Sequence, residues 1–214
     1  MSEAAKAQVA RDLEIIELAV VEATPESLEG YGCLVEDPDK IEIEIVTWPA
    51  LGPRPVEPGT GNEGGTTEGT FSFWWRGDLL YGRNEAVGGE YLLGTACDPA
   101  VASPVAQSGP REQVLIRHAN YHPDGGQLFF PLDGGAFLSP LALPGDAVRP
   151  EHFKAFWFDG TKGLYIHPGV WHEAVFPVAE TGRFFDRQGR VHARINCEID
   201  EEFGCRLALP LRRP

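Results

Sequence analysis

The chain has 214 residues, 43% hydrophobic and 23% charged, which is enough apolar material for one sizeable core and too much for wholesale disorder. Its 18 Lys and Arg against 32 Asp and Glu give a net charge of −14, which disfavours nucleic acid and anionic membrane surfaces but still allows a small anionic substrate held by a few Arg residues. No apolar run reaches the ~18 residues of a membrane span, the first residues lack the apolar stretch of a secretory signal, and Cys33, Cys97, Cys197 and Cys205 form no Cys-x-x-Cys pair. A cytoplasmic protein with reduced thiols is expected.

In chain order, the first twelve residues read as a frayed helix. Thr24-Pro25-Glu26 predicts a helix start, with Thr capping, Pro in the first turn and Glu at the positive end, and the helix must stop by Gly30 or Gly32. Ile41 to Ile45 alternates strictly with Glu and predicts a strand carrying three Ile on one face. The Pro/Gly-rich stretch 49–69 reads as a long loop within one domain, because the segment before it is too small to bury its own core. Strands are predicted over 70–76, 90–93, 113–117, 127–132 and 136–141, with Asp133-Gly134-Gly135 as a hairpin turn between the last two. A short helix is predicted from Pro150, carrying Glu151 to Phe156. Strands at 164–167 and 173–176 flank Pro168-Gly169, and 205–211 is the last strand. Many short strands broken by Gly and Pro, with few short helices, predict a mainly all-β sandwich or barrel, a single domain over 1–214 with an N-terminal extension.

The most informative polar spacing runs from Asn120 through His122 and Gln127 to Gly134. It resembles the first motif of the cupin family, with Asn120 and Gln127 standing where a His and a Glu are usual. Gly163, Pro168-Gly169 and His172 resemble the second motif, whose final Asn is replaced by Phe176. The implied fold is a cupin-like double-stranded β-helix, or jelly-roll barrel. Residues two apart on a strand share a face, so Asn120 and His122 can point into the barrel together, with Gln127 and His172 arriving from other strands. His122, Gln127 and His172 are therefore candidate ligands for a divalent metal ion, for which imidazole suits zinc, nickel, cobalt or manganese. The neutral amides would make such a site weak. The alternative is a polar interior in which the same groups hydrogen-bond one another without a metal.

A narrower resemblance follows. His122-Pro-Asp-Gly-Gly-Gln127-Leu-Phe-Phe-Pro131, then Gly163-Leu-Tyr-Ile-His167-Pro-Gly-Val-Trp-His172, resemble two signatures of the ureidoglycolate lyase family. Thr24-Pro25-Glu26 with Tyr31-Gly32 is similar to its N-terminal signature, and Asn62-Glu63-Gly64 to an Asn-x-Gly element. The similarity is good over 113–177 and thin over 40–112. It implies a barrel, often a homodimer, that splits ureidoglycolate into glyoxylate and urea. It also implies catalytic roles among His122, His167 and His172, one of them a general acid or base, with Gln127 or a metal as the electrophile.

Asn120, His118, Tyr165 and Arg76 are the candidate substrate-binding residues. His118 shares the face of Asn120 and His122, whereas Arg117 should point the other way. Arg76, Arg83 and Arg117 can each hold a carboxylate, or pair with the many surface acids. Glu173 should turn away from His172 as a solvated or dimer-facing carboxylate. Extra length at 49–69 and 77–112 lies where a substrate rim would be, so a related small 2-hydroxy or carbonyl acid is a second candidate substrate. Two competing readings remain at this stage: a metal-dependent cupin isomerase, epimerase or dioxygenase, and a non-catalytic cupin that binds a small ligand.

Overall fold

The structure, a computed structural model, describes residues 13–57 and 64–214. The expected helix over the first twelve residues, and Asn62 and Glu63, lie outside them. In chain order the strands are β1 (Glu14–Glu17), β2 (Val20–Glu22), β3 (Gly32–Val35), β4 (Val56–Glu57), β5 (Thr66–Arg76), β6 (Leu79–Asn84), β7 (Glu90–Thr95), β8 (Gln113–Ile116) and β9 (His118–Tyr121). There follow β10 (Gln127–Pro131), β11 (Phe137–Ala142), β12 (Lys154–Phe158), β13 (Gly163–Ile166), β14 (Trp171–His172), β15 (Phe176–Pro177), β16 (Thr181–Gly189), β17 (Arg194–Glu198) and β18 (Cys205–Pro210). One short helix, α1 (Ile199–Phe203), precedes β18.

Among the described residues the strands form a ten-stranded sheet in the order β1-β18-β8-β7-β6-β5-β16-β10-β13-β3 and an eight-stranded sheet in the order β2-β12-β11-β14-β9-β17-β4, with β15 beside β11. The first two strands divide between the sheets, β1 parallel to β18 and β2 parallel to β12. The inner faces are filled by aromatic residues at alternate positions. Phe73 meets Phe184 edge-on at 5.5 Å between ring centres, and Phe137 stacks on Phe158 at 4.5 Å. Such pairs contribute about 0.5–1.5 kcal/mol beyond their buried area. The class is mainly β, as the strand pattern implied, and cupin-like, as the motif resemblance implied.

Several local expectations are corrected. At Thr24 the cap exists, since its hydroxyl accepts from the Ser27 N–H at 3.1 Å, but only turns follow before Gly30 at φ 84°. So short a stretch cannot repay the nucleation of a helix. Ile41 to Ile45 alternates in exposure yet makes only one isolated bridge, Ile45 to Gly125. From Pro150 a single 3-10 turn ends at His152, and Phe156 belongs to β12, where it lies fully buried. The loop placed at 49–69 is shorter, because β4 and the start of β5 fall inside it.

The turn at Asp133-Gly134-Gly135 is not a hairpin. Strand β10 is flanked on both edges by β13 and β16, and β11 by β12 and β14, so neither has a free edge for the other. The turn instead carries the chain from one sheet to the other. Pro168-Gly169, with Gly169 at φ 81°, does the same between β13 and β14. These two crossings bring Gln127 and His172 face to face.

Candidate active site

Between the sheets lies a cavity of about 460 Å³. The eight-stranded sheet lines it with two rows. Strand β9 contributes His118 and Asn120, with His122 just beyond its end, and β17 contributes Arg194, Asn196 and Glu198. The register pairs Asn120 with both His172 and Asn196, and His118 with Glu198. Gln127 and Phe129 of β10, with Phe71 of β5 and Asn84 of β6, close the opposite wall.

At the inner end, Gln127 Oε1 stands 3.1 Å from His122 Nε2 and 3.2 Å from His172 Nε2. The Nδ1 atoms of the two rings face backbone carbonyls, Ala193 O at 2.9 Å and Val170 O at 2.8 Å. A carbonyl only accepts, so each ring carries its proton on Nδ1. Burial lowers the pKa of His122, and burial with the nearby His122 charge brings that of His172 to about 3. Both rings are therefore neutral near pH 7 and present bare Nε2 lone pairs. That state suits lone-pair donation better than proton transfer.

Behind Gln127 lies a buried carboxylate, Asp186 of β16. Its Oδ1 accepts from Gln127 Nε2 at 2.7 Å, and its Oδ2 from Asn84 Nδ2 at 2.9 Å and Gln188 Nε2 at 2.6 Å. Burial raises its pKa to about 6, against the pull of these three amides. Gln188 Oε1 in turn accepts from His192 Nδ1 at 2.5 Å. His192 adopts φ 52° on the β16–β17 turn, its ring centre is 4.8 Å from that of His122, and burial brings its pKa to about 2.

A second polar centre lies nearer the mouth. His118 Nδ1 donates to Glu173 Oε2 at 2.6 Å, and its Nε2 is 3.3 Å from Asn196 Oδ1. Burial disfavours the charged imidazole, yet the Glu173 carboxylate outweighs it and the pKa of His118 is raised. Glu173 is thus a cavity residue, against expectation. Strand β14 ends at His172, so the two-residue alternation does not carry on to position 173. Arg117 also reaches the rim, 4.0 Å from Glu198, because the chain is not in strand geometry between β8 and β9. Three polar atoms of the lining are buried without a hydrogen-bond partner among the described residues, Asn120 Oδ1, Arg194 Nε and Glu198 Oε2. Two orphan acceptors and an orphan cationic donor in one cavity are what a ligand carrying both an anionic group and N–H or O–H donors would satisfy.

Of the residues singled out from sequence, the cavity gathers His118, Asn120, His122, Gln127 and His172. It does not include Tyr165, His167 or Arg76. Tyr165 lies between the inward Leu164 and Ile166, so it faces outward and donates to Glu44 Oε2 at 2.9 Å. His167 is half-exposed and bonds the same oxygen at 2.7 Å. On β5 the inward positions are Phe71 and Phe73, which turns Arg76 outward over the Tyr81 ring at 5.5 Å. Sequence reading missed Asp186, Gln188, His192, Arg194 and Asn196. The available signal was polar residues at the inward parity of two apolar-alternating strands.

Among the described residues no group of three or more His, Cys, Asp or Glu stands ready to hold a metal. The set that converges is instead two imidazole Nε2 atoms and one amide oxygen. Three lone pairs meeting with no proton between them fit a divalent cation of the zinc, nickel, cobalt or manganese type.

The profile described as ureidoglycolate lyase matches residues 97–203, half of the chain. Curated proteins named ureidoglycolate lyase are similar over the same region. That of Azotobacter vinelandii is 40% identical over 103 residues, covering 47% of this chain and 60% of the relative. That of Stutzerimonas stutzeri is 38% identical over 94 residues, covering 43% and 55%. That of Pseudomonas aeruginosa is 35% identical over 108 residues, covering 50% and 61%. The chain thus spans just over half the length of the curated relatives it matches.

Proposed function

We propose, from the premise that the chain belongs to the ureidoglycolate lyase family, that it splits ureidoglycolate into glyoxylate and urea in the cavity between the two sheets. The observation that carries this reading is that Arg194 Nε and Asn120 Oδ1, two of the three unpartnered buried atoms of the lining, share the cavity with the His118–Glu173 pair. Ureidoglycolate offers a carboxylate for the first, ureido N–H groups for the second and a hydroxyl for the third.

In this reading Arg194, with Arg117 at the rim, holds the carboxylate by charge-assisted hydrogen bonds. Asn120 accepts from the ureido group. Glu173 holds the proton of the neutral His118 ring on Nδ1, and Nε2, which in the imidazolium donates to Asn196 Oδ1, then takes the substrate's hydroxyl proton. The electron pair left on that oxygen forms the new carbonyl as the carbon–nitrogen bond breaks. The proton on His118 then passes to the departing nitrogen and completes urea. His122 and His172 through Nε2 and Gln127 through Oε1 would hold a divalent ion, which when bound supplies Lewis-acid polarisation of a substrate oxygen. Phe71 and Phe129 give the cavity an apolar wall that keeps bulk water from the reacting carbon.

No helix among the described residues is long and apolar enough to cross a membrane. The four cysteines are free thiols, which supports a reducing, cytoplasmic setting. Homodimerisation belongs to the same proposal, and sedimentation equilibrium tests it. The function itself is tested by glyoxylate release from ureidoglycolate, with and without a chelator. Release is expected, and a loss on chelation would assign the electrophile to the ion. A folded protein with no release in either condition would overturn the reading.

A further inference from the structure

Gln127 is the one amide whose direction decides what the inner cavity presents. With Oε1 toward the rings, three lone pairs converge. With the amide reversed, its N–H groups would donate into both imidazoles and close the site. We infer that Asp186 is the positioning residue that holds the Gln127 carbonyl toward His122 and His172, and that it supplies from behind Gln127 the negative charge that its neutral amide lacks. This rests on the proposed reading of the cavity only for the identity of what binds there.

The argument is one of donors and acceptors. Asp186 Oδ2 already receives Asn84 Nδ2 and Gln188 Nε2. Neither amide can reverse. Asn84 Oδ1 is held by the Ala86 N–H at 2.8 Å, and Gln188 Oε1 by His192 at 2.5 Å. The remaining oxygen, Oδ1, therefore faces Gln127 and accepts only from its Nε2, which leaves Oε1 pointing at the rings. No lysine or arginine contacts Asp186 among the hydrogen-bonded partners described, so its charge is balanced by amide dipoles and by whatever cation occupies the cavity. Carboxylates placed behind the groups that hold a cation orient those groups and strengthen their donation.

Replacing one atom tests this. In Asp186→Asn the single carbonyl must serve Asn84 and Gln188, so the new NH2 faces Gln127 and the Gln127 amide must turn. In 15N-histidine-labelled protein, the wild type is expected to show bare Nε2 atoms on His122 and His172, and D186N to show both accepting a hydrogen bond. Zinc alone, in equilibrium dialysis, should bind D186N roughly 10- to 100-fold more weakly. The double variant Q127E/D186N moves the carboxylate to position 127, where the amide introduced at position 186 can donate to it, and should recover zinc binding at least to the wild-type level. Unchanged imidazole signals in D186N, or a folded double variant that fails to recover, would overturn the inference. If the wild type takes up no zinc, the metal part of the proposed function fails and the imidazole signals alone decide this one. If D186N does not fold, the wild-type imidazoles decide it, bare Nε2 atoms on His122 and His172 supporting the held Gln127 carbonyl and hydrogen-bonded ones refuting it.

Discussion

Arg194 and Glu173 show how single side chains acquire meaning from what surrounds them. Arg194 Nε is buried without a partner, so its natural complement is an anion in the cavity. Arg194→Gln should raise KM for ureidoglycolate roughly 10- to 100-fold, the worth of one hydrogen bond to a charged group, with kcat less affected; steady-state kinetics checks this. Glu173 sets the proton affinity of His118. Because turnover needs the neutral imidazole, wild-type kcat/KM should rise as pH climbs through the raised His118 value. Glu173→Gln leaves only Glu198 and Asn196 to oppose burial and should move that acid limb to lower pH, as a pH–rate profile would show. The stability side has the matching sign. The pair contributes fully below the ordinary imidazole value of 6.5 and is lost as pH rises through the raised one. His122, Gln127 and His172 were legible in the sequence because their spacing follows a known pattern. Arg194 was not, because an arginine in an acidic chain has many surface acids to pair with, and only the register of β17 against β9 turns it inward.

Two elements carry more of the site than their length suggests. Strand β14 is only Trp171–His172, so it is held by the buried Trp171 ring. Its indole N–H donates to Gly145 O at 2.8 Å, and the ring meets Tyr121 edge-on at 4.7 Å and underlies Arg54 at 5.2 Å. Trp171→Ala should cost about 3–5 kcal/mol in a urea titration and displace His172 with it. The long connection between β7 and β8 is organised by Asp78. The Ser108 hydroxyl first, then the N–H groups of Ser103 and Ser108, hold its carboxyl at about 2. With a depressed value, its stabilisation is present above the ordinary 3.8 and fades as pH falls through about 2. Asp78→Asn should therefore speed hydrogen exchange over 97–112 at neutral pH and remove the acid dependence seen there in the wild type. The same connection read from sequence as a vague rim because an Asp hub is built from backbone donors that no spacing rule announces.

For the molecule as a whole, charge acts against the compact state. A net charge of −14 spread over 214 residues repels itself when folding brings the acids together. Raising ionic strength from a few millimolar to about 0.15 M, where the screening length falls to about 8 Å, should raise the thermal midpoint, which differential scanning calorimetry would record. A flat response would mean that local pairs such as Arg54 with Glu202 at 2.7 Å and Arg206 with Asp200 at 3.0 Å already neutralise the field.

Alternation and motif spacing are local properties of a chain, so the mainly β class, most strand positions and the convergence of His122, Gln127 and His172 were legible in the sequence. Tertiary structure alone decided which edges pair. Asp133-Gly134-Gly135 looks like a hairpin until both edges of β10 are occupied, and Glu173 looks solvated until β14 stops one residue short of it. It likewise decided that Tyr165, His167 and Arg76 stand outside the cavity, through strand parity, and that Asp186 stands behind it. Each of these outcomes depends on hydrogen bonds between strands far apart in the chain. Such partners are chosen by what edge and what face remain free once the sheets have closed.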